Sequence, residues 1–173
     1  MHPQNKYSMF IHSNISLNNA AILKKCIADI TTYNLPPTPM NRGRILNNCF
    51  SSWEVGYTYN NPDQPHNWLE LQPLIKEIKS KGINLIDGSF FVILGKDSWV
   101  IPHNHPNPNH YVCIYNVSID DEHPHLEFLN PETRIWEPSK CVTGDYIIFN
   151  GTQEHKIELQ RTPKLRCMIA INC

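Results

Sequence analysis

A chain of 173 residues, 40% hydrophobic and only 18% charged, is long enough for one core and too apolar to stay disordered. Fifteen Lys and Arg against sixteen Asp and Glu leave a net charge of −1, without the broad positive field of a nucleic-acid or anionic-membrane binder. A single domain that binds neither nucleic acid nor membrane is expected.

The stretch from Met1 to Phe10 lacks the apolar run of a secretory signal, and the most apolar stretch, Phe90 to Leu94, is far too short to span a bilayer. A cytoplasmic protein is expected. Its cysteines (Cys26, Cys49, Cys113, Cys141, Cys167, Cys173) are scattered without a CxxC pair, so they read as reduced, buried thiols. Sequons at Asn14, Asn116 and Asn150 carry no weight in such a protein.

Ser16 can cap a helix whose apolar positions Leu23, Cys26, Ile27 and Ile30 follow i, i+3, i+4, i+7 spacing, and Asn34-Leu-Pro-Pro-Thr-Pro39 stops it. Residues 41–66 contain an apparent strand from Trp53 to Tyr59. Pro73 opens a second helix with Leu74, Ile75 and Ile78 on one face and Gly82 near its end. From Ile83 onward the texture changes to short β-branched and aromatic runs separated by Gly, Pro, Asn and Asp, which is the pattern of an antiparallel sandwich or barrel. The runs are Ser89–Leu94, Tyr111–Ile119, Leu126–Leu129, Tyr146–Phe149, Lys156–Leu159 and Cys167–Ile171. The expected fold is mainly β with flanking helices, residues 1–82 forming a helical and mixed part that covers a β core at 83–173.

Histidine placement carries the chemistry. Five of the nine fall between His103 and His125, and His155 stands alone in a turn between two strand candidates. In Ile101-Pro-His-Asn-His-Pro106, His103 and His105 are two apart, so an extended backbone points both imidazoles to one face. The stretch Gly144-Asp-Tyr-Ile-Ile-Phe-Asn-Gly-Thr-Gln-Glu-His155 runs from a strand through a turn that delivers one more histidine, and in a sandwich the two can meet at one mouth. Arg166 opens the last apolar run. An inward-facing Arg there needs an anionic partner, and its planar fork suits a carboxylate. Histidines with open coordination positions beside a carboxylate anchor suit non-haem Fe(II); a zinc hydrolase gives no reason for the Arg.

Residues Ser89 to Cys173 resemble the catalytic region of the aspartyl/asparaginyl β-hydroxylase family of Fe(II)/2-oxoglutarate-dependent dioxygenases. The matching pieces are Ser89-Phe-Phe-Val-Ile-Leu-Gly95 leading to Ile101-Pro-His103, Asn130-Pro-Glu-Thr-Arg-Ile-Trp136, Gly144-Asp-Tyr-Ile-Ile-Phe149 with Glu154-His155, and Arg166. The resemblance implies a double-stranded β-helix, a jelly-roll or cupin-like barrel, in which His103 and His155 bind Fe(II). It further implies that Arg166 holds the distal carboxylate of 2-oxoglutarate, that O2 is consumed, and that an amino acid side chain, Asp/Asn-type or related, is hydroxylated in a peptide, protein or small molecule. Ser89 is a candidate oxoacid contact.

The sequence departs from that family at three places. His105 stands where the family typically has Gly, so the third ligand is His105, a water, or one of Asp120, Asp121 and Glu122. The strand after the first His has no Arg, and His110 is the candidate substitute. The His-to-Arg spacing is about one residue longer, which an insertion at Arg161-Thr-Pro163 absorbs. Two alternatives stand beside this reading: a three-His cupin-type dioxygenase without an oxoacid, and a non-catalytic ligand-binding sandwich. Trp99 and Trp136 read as packing residues, His123 and His125 as surface. Arg42, Arg44, Trp53, Tyr57 and Tyr59 are candidates to read a substrate at the barrel mouth.

Overall fold

The computed structural model describes residues 10–38, 45–55, 63–86 and 88–173. Its strands are β1 (Ile11–Asn14), β2 (Leu46–Ser51), β3 (Ser89–His103), β4 (Tyr111–Ser118), β5 (Leu126–Leu129), β6 (Trp136–Pro138), β7 (Asp145–Asn150), β8 (His155–Ile157) and β9 (Arg166–Asn172). Two α-helices, α1 (Asn19–Thr32) and α2 (Gln72–Ser80), lie among them.

The strands hydrogen-bond in the order β1-β7-β4-β9-β3-β8-β5-β6, with β2 also on β3. One strand serves two layers. The first part of β3 pairs with β9 from Ser89↔Ile171 to Leu94↔Arg166, and its last part pairs with β8 at Val100↔Ile157 and His103↔His155. Between them Asp97 takes φ 63 and the Ser98 hydroxyl accepts from Gly95 N, so the chain turns a corner and carries the hydrogen-bonded path from one layer to the other. The result is a two-layered antiparallel β structure, the sandwich or barrel expected from the run spacing.

Alternation along the strands divides the core. Phe91, Ile93, Cys113, Tyr115, Cys167, Ile169 and Ile171 point outward and bury α1 and α2 through Ile22, Cys26, Leu74 and Ile78. Val92, Leu94, Val112, Ile114, Phe149, Met168 and Ala170 point into the barrel. All six cysteines are free and buried.

Several local expectations need correction. Asn18, not Ser16, caps α1, its Oδ1 accepting from Ala21 N at 3.1 Å. The face packed on the sheet runs through Ile22 and Cys26 and leaves Ile27 44% exposed. Trp53 lies in a 3-10 turn, Ser52–Val55, rather than in a strand; Tyr57, Tyr59, Arg42 and Arg44 fall outside the described residues. The N-terminal part also supplies β1 to the free edge of β7 and β2 to β3. Its helices cover the outer face of the sheet, while among the described residues Ile45, Leu46 and Trp53 of this part border the cavity and Cys49 packs into the inward core. His123 is buried rather than on the surface: its Nδ1 accepts from Asp120 N at 2.9 Å and its Nε2 meets Lys164 O at 3.2 Å.

Candidate metal centre and carboxylate pocket

The β3–β8 pairing sets His103 directly across from His155, so both side chains leave the same face. Each ring is fixed by its own backbone. His103 Nδ1 lies 2.9 Å from Ile101 O and His155 Nδ1 lies 2.8 Å from Gln153 O. A carbonyl oxygen can only accept, so both Nδ1 atoms carry the hydrogen and both Nε2 atoms present a lone pair, as a metal-binding imidazole requires. The ring centroids are 4.1 Å apart.

His105 joins them through the turn after β7. Its N donates to Gly151 O at 2.7 Å, and Gly151 N donates to His110 O. A Cβ at Gly151 would sit 3.0 Å from both the His105 Cβ and the His110 carbonyl, so the close approach that places His105 depends on glycine. The His105 ring stacks on His155 at 5.7 Å and lies 5.6 Å from His103. One ligand-type atom from each of the three histidines falls within 4.8 Å of the others.

Burial holds all three imidazoles neutral. It lowers the pKa of His103, drives His105 down to about 4 with help from His103 and His110, and drives His155 down to about 3 with help from His103. Protons therefore do not compete with a metal at neutral pH. Asp120 and Glu122 are engaged with Lys164 in an exposed turn, and neither belongs to this cluster.

The cluster lies at one end of a cavity of about 410 Å3, whose other walls include Phe90, Val92, Val112, Ile114, Leu126 and Met168. That volume is in the range of small-molecule sites. Trp53, 54% exposed, stands edge-on to Phe90 with centroids 4.7 Å apart and forms part of the rim.

Arg166 occupies the cavity-facing parity of β9, shared with Met168, Ala170 and Asn172, at the strand end remote from the mouth. It is fully buried. Its Nη2 donates to Asn116 Oδ1 at 3.3 Å and its Nη1 to Pro124 O, while Nε has no partner. Burial lowers its pKa to about 10, which still leaves it charged at neutral pH. Both acceptors are neutral, and no carboxylate of the described residues pairs with it. Two further buried polar atoms without partners belong to segments beside it, His125 Nδ1 and Ser139 Oγ. The interior around Arg166, behind the residues that line the cavity, thus holds a positive charge with no carboxylate partner among the described residues and unmet hydrogen-bonding capacity.

The other candidates fall elsewhere. Ser89 lies on the outer face of β3, where its Oγ accepts from His66 N at 2.7 Å and meets His66 Nδ1 at 2.9 Å, so it braces the helical layer and does not face the cavity. His110 sits at the mouth, its ring 4.9 Å from His105 and its Nε2 3.2 Å from Asn172 Oδ1, and not beside Arg166. Trp136 packs under the Lys156 ammonium at 4.6 Å. Sequence reasoning missed Asn116 and Asn172; the available signal was a polar residue inside one apolar run and another directly at the end of a second.

No family model matches this sequence, and no curated protein matches it. The structure, by contrast, is similar to solved oxygenases. A prolyl-4-hydroxylase from Pseudomonas putida superimposes with TM-score 0.67 at 10% identity, over 94% of this chain and 90% of that one. A prolyl hydroxylase from Trichoplax adhaerens, in complex with a hypoxia inducible factor oxygen degradation domain peptide, gives TM-score 0.67 at 12% identity over 94% and 81%. HygX from Streptomyces hygroscopicus, with nickel and 2-oxoglutarate bound, gives 0.60 at 10% over 96% and 82%. These similarities establish the double-stranded β-helix of 2-oxoglutarate oxygenases as the fold. Among the described residues, no helix is long and apolar enough to cross a membrane.

Proposed function

We propose that this protein is an Fe(II)- and 2-oxoglutarate-dependent oxygenase that hydroxylates an amino acid side chain. The observation that carries this reading is Arg166, a buried cation without a counter-charge on the cavity face of β9, with its Nε unpaired. Burying an unpaired guanidinium is costly, and a ligand carboxylate arriving there would supply both the missing charge and the missing acceptor. The histidine cluster fits a metal equally well, through neutral imidazoles whose Nε2 lone pairs are held ready by the Ile101 and Gln153 carbonyls.

In this reading His103, His155 and His105 hold Fe(II), and Arg166 with Asn116 orients the distal carboxylate of 2-oxoglutarate. Bound Fe(II) with the oxoacid and O2 supplies oxidative attack on a C–H bond, coupled to loss of CO2 from the oxoacid. The apolar walls, Val112, Ile114, Leu126 and Met168, exclude water from the space between anchor and metal. Trp53 and Phe90 at the rim offer an aromatic platform for a substrate. The peptide-bound Trichoplax adhaerens structure supports a peptide or protein substrate on this fold. The pieces quoted from the sequence favour Asp/Asn-type chemistry.

One observation favours a second reading. Among the described residues the cluster is all histidine, with no carboxylate joining it, which suits a three-His dioxygenase that does not use an oxoacid. Anaerobic titration of the apo protein with Fe(II), with and without 2-oxoglutarate, separates the two. A weak visible charge-transfer band that requires the oxoacid, His103, His155 and Arg166 is the expected result. Iron binding without that band transfers the assignment to the three-His chemistry, and no iron binding refutes both.

A further inference from the structure

A second group of ligand-type side chains converges at the far edge of the sheet. His12 on β1, Cys141 in the turn before β7 and Asp145 at the start of β7 bring a nitrogen, a sulfur and a carboxylate oxygen within 4.8 Å of one another. His12 Nε2 lies 2.9 Å from Asp145 Oδ2 and 3.7 Å from Cys141 Sγ. Bonds of about 2.0–2.1 Å to nitrogen or oxygen and about 2.3 Å to sulfur put neighbouring donors of a tetrahedral ion roughly 3.3–3.6 Å apart. The two spacings bracket that range, so the three donors need only small shifts to share an ion.

The contacts also argue against a catalytic triad. Acid and thiol approach the same imidazole nitrogen, whereas a relay needs the acid on one nitrogen and the nucleophile on the other. The carboxylate is held in place from behind: Asn14 Nδ2 donates to Oδ1 at 2.8 Å and Val142 N donates to Oδ2 at 3.0 Å. Such supporting donors are the usual companions of a metal-binding carboxylate. Cys141 and Asp145 are buried while His12 is exposed, so the point they face has a path to solvent and room for a water as fourth ligand.

We propose that His12, Cys141 and Asp145 form a second metal site, of the Zn(II) type, that clips β1 onto β7. The mixed sulfur, nitrogen and oxygen donors distinguish it chemically from the all-imidazole cluster in the cavity. Loading releases the Cys141 thiol proton to solvent and moves the His12 proton, which Nε2 donates to Asp145 in the metal-free site, to Nδ1, so that Nε2 can bind the ion. β1 is only four residues long and pairs with β7 alone, so a metal bond to His12 anchors an edge strand that its backbone hydrogen bonds hold weakly. The proposal does not rest on the function assigned to the cavity, although Cys141 lies within electrostatic reach of Arg166.

Co(II) binding to the full chain tests it, because only a site with sulfur yields an intense near-ultraviolet thiolate-to-Co(II) band. The wild-type protein is expected to show the band, His103→Ala to retain it, and Cys141→Ser to lose it together with one equivalent of bound Co(II). A wild-type protein without the band, or a Cys141→Ser protein that keeps it, overturns the proposal. As a second reading, Zn(II) should raise the melting temperature of His103→Ala protein but not of the His12→Ala/His103→Ala double variant. His12 is exposed, so its removal leaves the core intact, and equal shifts in both proteins also refute the site.

Discussion

The two faces of β9 are equally dry and do different things. Outward, Cys167, Ile169 and Ile171 fill space against the helices; inward, Met168, Ala170 and Asn172 line a cavity, and Arg166, on the same parity, is fully buried beyond that lining. Every residue of the strand is buried, so burial alone does not tell packing from a binding wall. What separates them is whether atoms meet on the far side. The outward face is saturated with contacts, while the inward face keeps an unpaired guanidinium and open volume.

Substitutions should divide along that line. The largest effect is expected at the mouth: His155→Ala or His103→Ala should weaken Fe(II) binding by well over about 100-fold, since even loss of a ligand's supporting hydrogen bond costs about 10–100-fold. Calorimetric Fe(II) titration measures this, and retained affinity would break the assignment of the cluster. Arg166→Met should keep the metal and lose about 100-fold in 2-oxoglutarate affinity, while the apo protein melts no lower than wild type. That combination is specific to a buried charge awaiting a ligand; a large drop in melting temperature would instead make Arg166 structural.

Stability should show the reverse asymmetry. Ile169→Ala on the outward face should cost about 2–5 kcal/mol in denaturant unfolding. Ala170→Leu, one residue away but facing the cavity, should cost far less because the added atoms enter existing space. It should block oxoacid-dependent iron spectra at the same time. Equal destabilisation by the two changes would mean that the cavity is not open in solution.

The sequence made the inward chemistry more legible than the outward architecture. His103, His105 and Arg166 were readable because each violates its surroundings: polar groups in or beside apolar, strand-forming runs. Period-2 spacing then predicted that the first two share a face, and Gly151 in the turn before His155 marks the close approach that completes the cluster. β1, β2 and β6 were not readable. They are three to six residues long, two of them come from segments rich in Asn and Ser, and they exist because neighbouring strands offer unpaired backbone. Ser89 was misplaced for a related reason. The alternation around it is masked by burial on both sides, so its face was fixed only by the helical layer that packs there. His123 looked like a surface turn residue because its partners, Asp120 N and Lys164 O, are backbone groups that no side-chain pattern reveals.

The smallest expected effect lies on the outward face and tests the placement of Ser89. The Ser89 hydroxyl accepts from His66 N, so its own hydrogen points to His66 Nδ1, which must then be an unprotonated acceptor. Burial accordingly lowers the His66 pKa from its usual 6.5. The unfolded chain takes up a proton there first, so the contribution of neutral His66 to stability is complete above about pH 6.5 and is lost as the pH falls toward the lower folded value. His66→Asn keeps an acceptor for the Ser89 hydroxyl and removes the titration. Between about pH 6.5 and 5, wild-type stability should fall more steeply than that of the variant, by at most one proton's worth, about 1.4 kcal/mol per pH unit. The cavity histidines titrate alike in both proteins and cancel in the difference. Parallel slopes would show that His66 is not held neutral by Ser89.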